Sequence, residues 1–154
     1  MKKYTQEEFD QFPVNDYGYK RCPSGDYTLI EKFPERCSFG ERCSFGERCS
    51  FGEWCSFSKR CSFGERCSFS DWCKCEFGEF QAMYTAGGFG SEGRTTYFFH
   101  MADGSICVRC GCFTGTIDEW KYQVKKTHEN GVLAESYLLI GKAVRAICEK
   151  PEEE

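Results

Sequence analysis

No stretch of this 154-residue chain is long and apolar enough to span a bilayer. Its opening, MKKYTQEEFDQF, lacks the apolar core of a secretory signal. No membrane partner is expected, and the reducing cytoplasm is the expected compartment. Charge of one sign is also missing: 20 basic and 24 acidic residues are well mixed, for a net charge of −4. That balance argues against a nucleic-acid footprint and against a strongly acidic mimic. Histidine is scarce. His100 and His128 are the only two, which excludes a three-histidine zinc site within one chain. The stretch AGGFGSEG lacks the Lys-Ser/Thr ending of a phosphate loop and opens no predicted helix. Residues 86–94 therefore read as a flexible connector and a candidate contact region.

Cysteine and phenylalanine, by contrast, number 13 and 15, and they are periodic. From Phe33 the chain reads FPERCS, FGERCS, FGERCS, FGEWCS, FSKRCS, FGERCS and FSDWCK. A strict period of six fits neither a helix nor an ordinary hairpin sheet. It fits a solenoid, in which each unit supplies a short strand and a corner and stacked turns share a core. Strand alternation sends Phe and Cys inward and the Ser between them outward. Gly40, Gly46, Gly52 and Gly64, just past the phenylalanines, are placed where a tight corner favours unusual φ. The repeat cysteines read as small buried hydrophobes. Stacked pairs such as Cys37/Cys55 and Cys43/Cys61 lie within disulfide reach, but their parallel side chains are poor geometry for a bond. A soft metal among them would be crowded by the Phe layers, and no cofactor is expected.

The unit resembles the hexapeptide pattern of left-handed parallel β-helices. The resemblance implies triangular coils of 18 residues, three hexapeptides each, with Phe in place of the usual aliphatic and Cys in place of the usual small residue. An internal check agrees. Trp54 and Trp72, which replace Arg, are 18 apart and would stack about 4.8 Å from one another on one edge. Arg36 falls on the same column, placed for a cation–π contact. Lys59 replaces Glu one coil after Glu41. Trp54, Trp72 and Arg36 are the candidate partner-binding residues, because Trp and Arg are enriched in interface hot spots. Self-stacking that stabilises the column is the competing role. The Glu and Arg columns read as a mutually neutralising, solvated surface. Proteins of this pattern are best known as acyltransferases, typically trimers with a histidine base between prisms, and one zinc carbonic anhydrase shares the fold. Here both histidines lie outside the repeat and no long loop interrupts the coils, so acyltransfer is disfavoured.

Around the repeat the expected organisation is an N-terminal helix and irregular lead-in coil (1–32), the β-helix (33–79), an α+β capping unit (80–150) and a disordered tail (151–154). Thr5 with Glu8 is a capping box for the first helix, which Pro13 ends. Tyr27 and Ile30 belong to the irregular coil. A two-residue slippage at Cys73-Lys74-Cys75 closes the solenoid. Next come a strand at 80–85, a second at 94–101, a turn at Ala102-Asp103-Gly104 and a partner strand at 105–113. Thr116 with Glu119 opens a helix to about His128, Asn130-Gly131 stops it, and a second helix runs from about Leu133 to Cys148. Its buried stripe is expected at Tyr137, Leu138, Ile140, Val144 and Ile147. This unit is expected to cover an open end of the solenoid. Cys107, Cys110 and Cys112 form a CxxCxC candidate for thiolate zinc binding. Alternation weakens it, since Cys107 points away with Arg109 while Ile106, Val108, Cys110 and Cys112 share the other face.

The segment FFHMADGSICVRCGCFTGTIDEWKYQVKKTH, with the helix after it, is similar to the C-terminal part of uncharacterised proteins of phages, prophages and gut bacteria. That resemblance brings no catalytic motif. The function expected is a non-enzymatic binding or scaffold protein that engages a host protein or a second copy of itself, in its most concrete form a phage product inhibiting a host defence system. The alternative is an oligomer with a small-molecule site between subunits, either acyltransferase-like or ligand-sequestering.

Overall fold

The computed structural model describes residues 1–89, 94–128 and 131–149. They fall into two compact units, 1–81 and from 82 onward.

The first unit is a β-solenoid of about three turns. Helix α1 (Gln6–Asp10) is opened by the Thr5/Glu8 capping box and precedes strands β1 (Lys20–Cys22), β2 (Lys32–Phe33) and β3 (Cys37–Phe39). Five Ser-Phe strands follow at six-residue intervals: β4 (Ser44–Phe45), β5 (Ser50–Phe51), β6 (Ser56–Phe57), β7 (Ser62–Phe63) and β8 (Ser68–Phe69), before β9 (Lys74–Cys75). They stack in three parallel ladders, β1-β3-β6-β9, β2-β5-β8 and β4-β7. Phe33 pairs with Phe51, and Phe51 with Phe69, so the coil is 18 residues. The lead-in coil is one residue shorter, since Lys20 pairs with Cys37, a separation of 17.

Ring packing explains why phenylalanine suits every inward position. Along the chain, neighbouring rings meet edge to face, as in Phe45–Phe51 at 5.0 Å and 89°. Between coils they lie parallel, as in Phe33–Phe51 at 4.8 Å and 8°. Both arrangements satisfy the ring quadrupole, adding about 0.5–1.5 kcal/mol per pair to the burial term. At the first end, Phe9 packs on Tyr27 and Phe33, so the N-terminal helix covers the rings that would otherwise face water.

Two expectations are corrected at the corners. The left-handed residue is the fourth of each unit, not the glycine: Arg36, Arg42, Arg48, Trp54, Arg60, Arg66 and Trp72 have φ between 56° and 65°. Such a conformation costs a non-glycine residue about 1–2 kcal/mol. Here it turns the N–H along the stack, so that Arg48 donates to the Glu65 carbonyl at 2.8 Å and Arg36 to that of Glu53 at 2.9 Å. The glycines serve close approach instead. A β-carbon on Gly52 would stand 2.5 Å from the Glu35 nitrogen, and one on Gly64 2.6 Å from that of Glu47. Nor does the register slip at 73–75. Lys74 still pairs with Ser56, one coil below. The solenoid ends because the chain reverses at Glu76-Phe77, pairing Gly78 with Cys75 antiparallel. Phe80 then packs on Phe69 at 5.0 Å.

Strand β10 (Gly78–Phe89) thus runs past the expected end at 85, and residues 86–89 are strand where a loop was expected; 90–93 lie outside the described residues. In the second unit, β11 (Arg94–Met101) pairs antiparallel with β12 (Ile106–Cys110), and Asp103 bonds Ser105 in the turn between them. The expected partner strand breaks at Gly111, which has φ 59°, and a further strand, β13 (Phe113–Thr116), folds back on β12. Thr116 and Glu119 cap α2 (Ile117–His128) as expected. Asn130 lies outside the described residues. Helix α3 (Val132–Glu149) buries Ala134, Tyr137, Gly141 and Val144. Ile147, expected in that stripe, is 54 % exposed. At 3.6 residues per turn Ile147 falls about 100° from the centre of that face; Gly141 lies within it, and a β-carbon there would sit 2.7 Å from the Trp120 ring. The tail, 151–154, lies outside the described residues. Among the described residues no helix is long and apolar enough to cross a membrane.

Candidate functional site

The repeat is so regular that its departures stand out, and three of them meet on one face. Outward positions on the β1-β3-β6-β9 ladder run Arg21, Ser38, Ser56, Lys74. The corner leading into this face carries Trp54 and Trp72. Their rings are stacked at 5.0 Å and 18°, as the spacing predicted. Trp72, on the later coil, stays 46 % exposed. Beside them lies a groove of about 430 Å³ lined by Asn15, Tyr19, Arg21, Ser38, Trp54, Ser56, Trp72 and Lys74.

Local structure fixes the parts of this groove. The left-handed φ of 65° at Trp54 and 63° at Trp72 gives both indoles the same departure from the backbone, one coil apart. Ser56 donates to the Ser38 hydroxyl at 3.3 Å, joining the middle of the ladder. On the first-coil side, Asn15 closes a turn by accepting from the backbone N–H of Tyr17 and Tyr19 at 2.9 and 3.0 Å. Among the described residues no carboxylate lines the groove, and Glu79 faces Lys74 across the β9–β10 pairing.

Arg36 is placed differently from expectation. It shares the column and the left-handed φ of 57°. Among the described residues, however, no cation–π contact joins it to Trp54. Its side chain runs past Gly18, 3.8 Å from where a β-carbon there would stand. The spacing put Arg36 on the right column, but the lead-in loop occupies its side chain.

The C-terminal cysteines are not gathered. Cys107 lies between Phe99 and Thr116 on the sheet, Cys110 accepts from the Thr96 hydroxyl at 3.1 Å, and Cys112 is exposed in the turn. Alternation held for Cys107 and Cys110, while the turn at Gly111 removes Cys112 from the face it was assigned. Among the described residues no three metal-ligating side chains converge. Arg109, expected to face outward, is buried with its guanidinium 4.6 Å from the Tyr97 ring centre. His100 sits in β11 opposite Ile106, and His128 stacks on Tyr137 at 5.7 Å.

The repeat thiols form ladders at the corners. Cys43 donates to the Gly40 carbonyl at 3.2 Å, and Cys61, one coil on, donates to the same carbonyl at 3.5 Å. All thirteen cysteines are free. The hydrogen bond with Cys22, then burial, pushes the Cys37 thiol up to about 12. That with Cys37, then burial, does the same for Cys55. Cys67, half-buried at the end of its column, is pulled down to about 7 by the hydrogen bond from Cys49.

Sequence reasoning found the tryptophan column but missed Arg21, Tyr19, Asn15 and Lys74. Lys74 carried a signal: it is the one break in the serine column. Arg21 carried none, because the shorter first coil hides its alignment with Ser38. No family model, curated protein or solved structure matches the chain.

Proposed function

We propose that the chain is a non-enzymatic binding protein whose working surface is the Trp54/Trp72 edge and the groove beside it. The observation that carries this reading is the concentration of departures. Where the repeat could have continued with Arg and Ser, one face carries Trp54, Trp72 and Lys74. Stacking accounts for the indole pair and Glu79, opposite Lys74 in the β9–β10 pairing, for the cation, but neither requires that Trp72 stay 46 % exposed beside the groove. Stacked indoles present a large, rigid contact area at low entropic cost, the property that makes Trp frequent at binding hot spots. A left-handed sense for the coils, implied by the hexapeptide resemblance, belongs to this reading. So does the similarity of the last third to phage and prophage proteins, which points to a host protein as partner and to inhibition of a defence system as the outcome.

The test is Trp54→Ala with Trp72→Ala in one chain. Circular dichroism should be unchanged while partner binding, or self-association measured by analytical ultracentrifugation, is lost. Unchanged association would sink the reading. The intersubunit small-molecule alternative needs a closed oligomer, so native mass spectrometry of a bare monomer would remove it.

A further inference from the structure

Helix α3 packs through the side that carries Ala134, Tyr137, Gly141 and Val144. At about 100° per residue, the opposite side is centred near Leu139. A surface helix ordinarily turns charged and polar residues to water there. In α3 that side instead carries Val132, Leu139 and Ala146, exposed apolar residues at intervals of seven, with exposed Ala143 beside them. Val132 is 80 % and Leu139 60 % exposed, so this ridge has no cover within the described chain.

Next to the ridge is a hollow of about 370 Å³ lined by Ala134, Glu135, Leu138, Leu139 and Lys142. Positions 135, 138, 139 and 142 are spaced i, i+3, i+4 and i+7. That is the four-cornered hole that receives one side chain in knobs-into-holes packing. The same helix therefore offers a knob, Leu139, and a hole to take one. Charge decides what fits. Glu135 and Lys142 are exposed and, among the described residues, in no ion pair, whereas Arg145 is held by Asp118 at 2.9 Å. In a parallel pair of α3 helices, Glu135 would meet Glu135 and Lys142 would meet Lys142, which is repulsive. A two-fold axis between positions 138 and 139 gives an antiparallel pair instead. Glu135 then faces Lys142 twice, Leu139 enters the hole beside Leu138, and Val132 lies near Ala146. Glu149 falls past the end of the facing helix. The surface is thus its own complement, as a two-fold contact requires.

We infer that α3 is a dimerisation surface whose occupant is the α3 helix of a second copy of this chain. The two helices run antiparallel, with Leu139 of each copy in the hole of the other and Glu135 paired with Lys142 across the axis. The 18-residue helix is about 27 Å long, so a single pair lies at the small end of specific interfaces, near or below about 1,200 Å². A weak dimer follows, with a dissociation constant on the order of 10 µM. This surface belongs to the other unit of the chain and does not rest on the tryptophan face.

The test is analytical ultracentrifugation of the full chain over a concentration series from about 1 to 300 µM, bracketing that constant. Leu139→Glu, at an exposed position, should leave circular dichroism unchanged and abolish the dimer. Glu135→Lys and Lys142→Glu should each weaken it about tenfold, because two attractions become two repulsions. The two exchanges joined in one chain restore opposite charges across the axis and should return the dimer to within about twofold of the original. No dimer in the series, a dimer indifferent to Leu139→Glu or to the single exchanges, or a double exchange that restores nothing would each overturn the inference. Trp54→Ala with Trp72→Ala should leave this dimer intact, and the tryptophan face is then judged on binding of a partner protein. If that variant is monomeric while Leu139→Glu still dimerises, the tryptophan reading stands and this one falls.

Discussion

The two units of this chain hold together in different ways. In the solenoid, one contact is written many times: each Phe ring meets its neighbours in the unit before and after, and those one coil away, in nearly the same geometry. Phe51 touches Phe33, Phe39, Phe45, Phe57, Phe63 and Phe69. In the second unit each contact occurs once: Trp120 against Gly141 and Tyr137, Phe98 against Trp120. A repeated contact makes stability a near sum of identical terms, as in other solenoids. A change at the surface then leaves the sum almost untouched, which frees one face to specialise. A core of single contacts offers no such freedom, because its parts have no substitutes.

The sharpest way to break this comparison is to remove one ring from the middle of the series. Phe51→Ala empties a site 2 % exposed and should cost about 3–5 kcal/mol, read by denaturant unfolding. Trp120→Ala, equally buried, should cost a similar amount. The two should differ in reach. Hydrogen exchange should show the Phe51 lesion fading coil by coil, and the Trp120 lesion loosening β11, β12, α2 and α3 together.

A smaller effect, of about 1–3 kcal/mol, is expected from adding one methyl group. In Gly64→Ala it would meet the backbone of the coil below at 2.6 Å, and in Gly141→Ala the Trp120 ring at 2.7 Å. Ser58 shows that a β-carbon is tolerated at a repeat glycine position when its hydroxyl bonds the coil below, here Phe39 at 2.8 Å. Gly64→Ser should therefore be milder than Gly64→Ala. Equal melting temperatures for these two would argue that the coils are not held by the approach the structure shows.

Alkali should also separate the units. The Cys37 and Cys55 thiols keep their protons to about 12 when folded but release them near the ordinary 9.0 when unfolded. The folded state then binds more protons across that window, so these two thiols cost stability as pH rises from about 9 toward 12, whereas Cys67, lowered to about 7 in the fold, adds stability as pH rises from about 7 to 9. In the second unit burial also raises Cys107 and Cys148, which is a weaker version of the same dependence. A pH series of urea midpoints, followed by near-ultraviolet signals of each unit, should show the steeper fall in the solenoid. Equal slopes would contradict the thiol ladders.

How much of this was legible beforehand follows the same division. The period of Phe and Cys was enough for a solenoid, because a repeat reports its own geometry seven times; the 18-residue coil and its register came from the hexapeptide resemblance and the spacing of Trp54 and Trp72. The capping boxes at Thr5 and Thr116 were equally plain, since each is a local pairing of side chain and backbone. What failed were features decided by contacts distant in sequence. The glycines looked like φ specialists until the neighbouring coil's backbone appeared beside them. Gly111 looked like part of a strand until β13 folded back, and Ile147 looked buried until the packed face of α3 proved to run through Gly141 instead. The groove was half visible: Trp54, Trp72 and Lys74 break the pattern, while Arg21 is brought into line only by the shortened first coil.

The smallest effects concern the surface and the thiols. Trp54→Ala with Trp72→Ala should lower stability by only about 0.5–1.5 kcal/mol, the worth of one exposed aromatic pair, however much binding it removes. Brief alkylation of the native chain at pH 8, mapped by mass spectrometry, asks the same question of the cysteines. Cys112, exposed in its turn, should react first, and Cys67 should lead the repeat thiols, because it is half-buried and its thiolate is stabilised. Cys37, Cys43, Cys49, Cys55, Cys61 and Cys73, all buried, should stay unmodified until the solenoid opens. Reaction of those six at the rate of Cys112 would mean that the coils breathe one by one. The surface could then not serve as the rigid support that the tryptophan face requires.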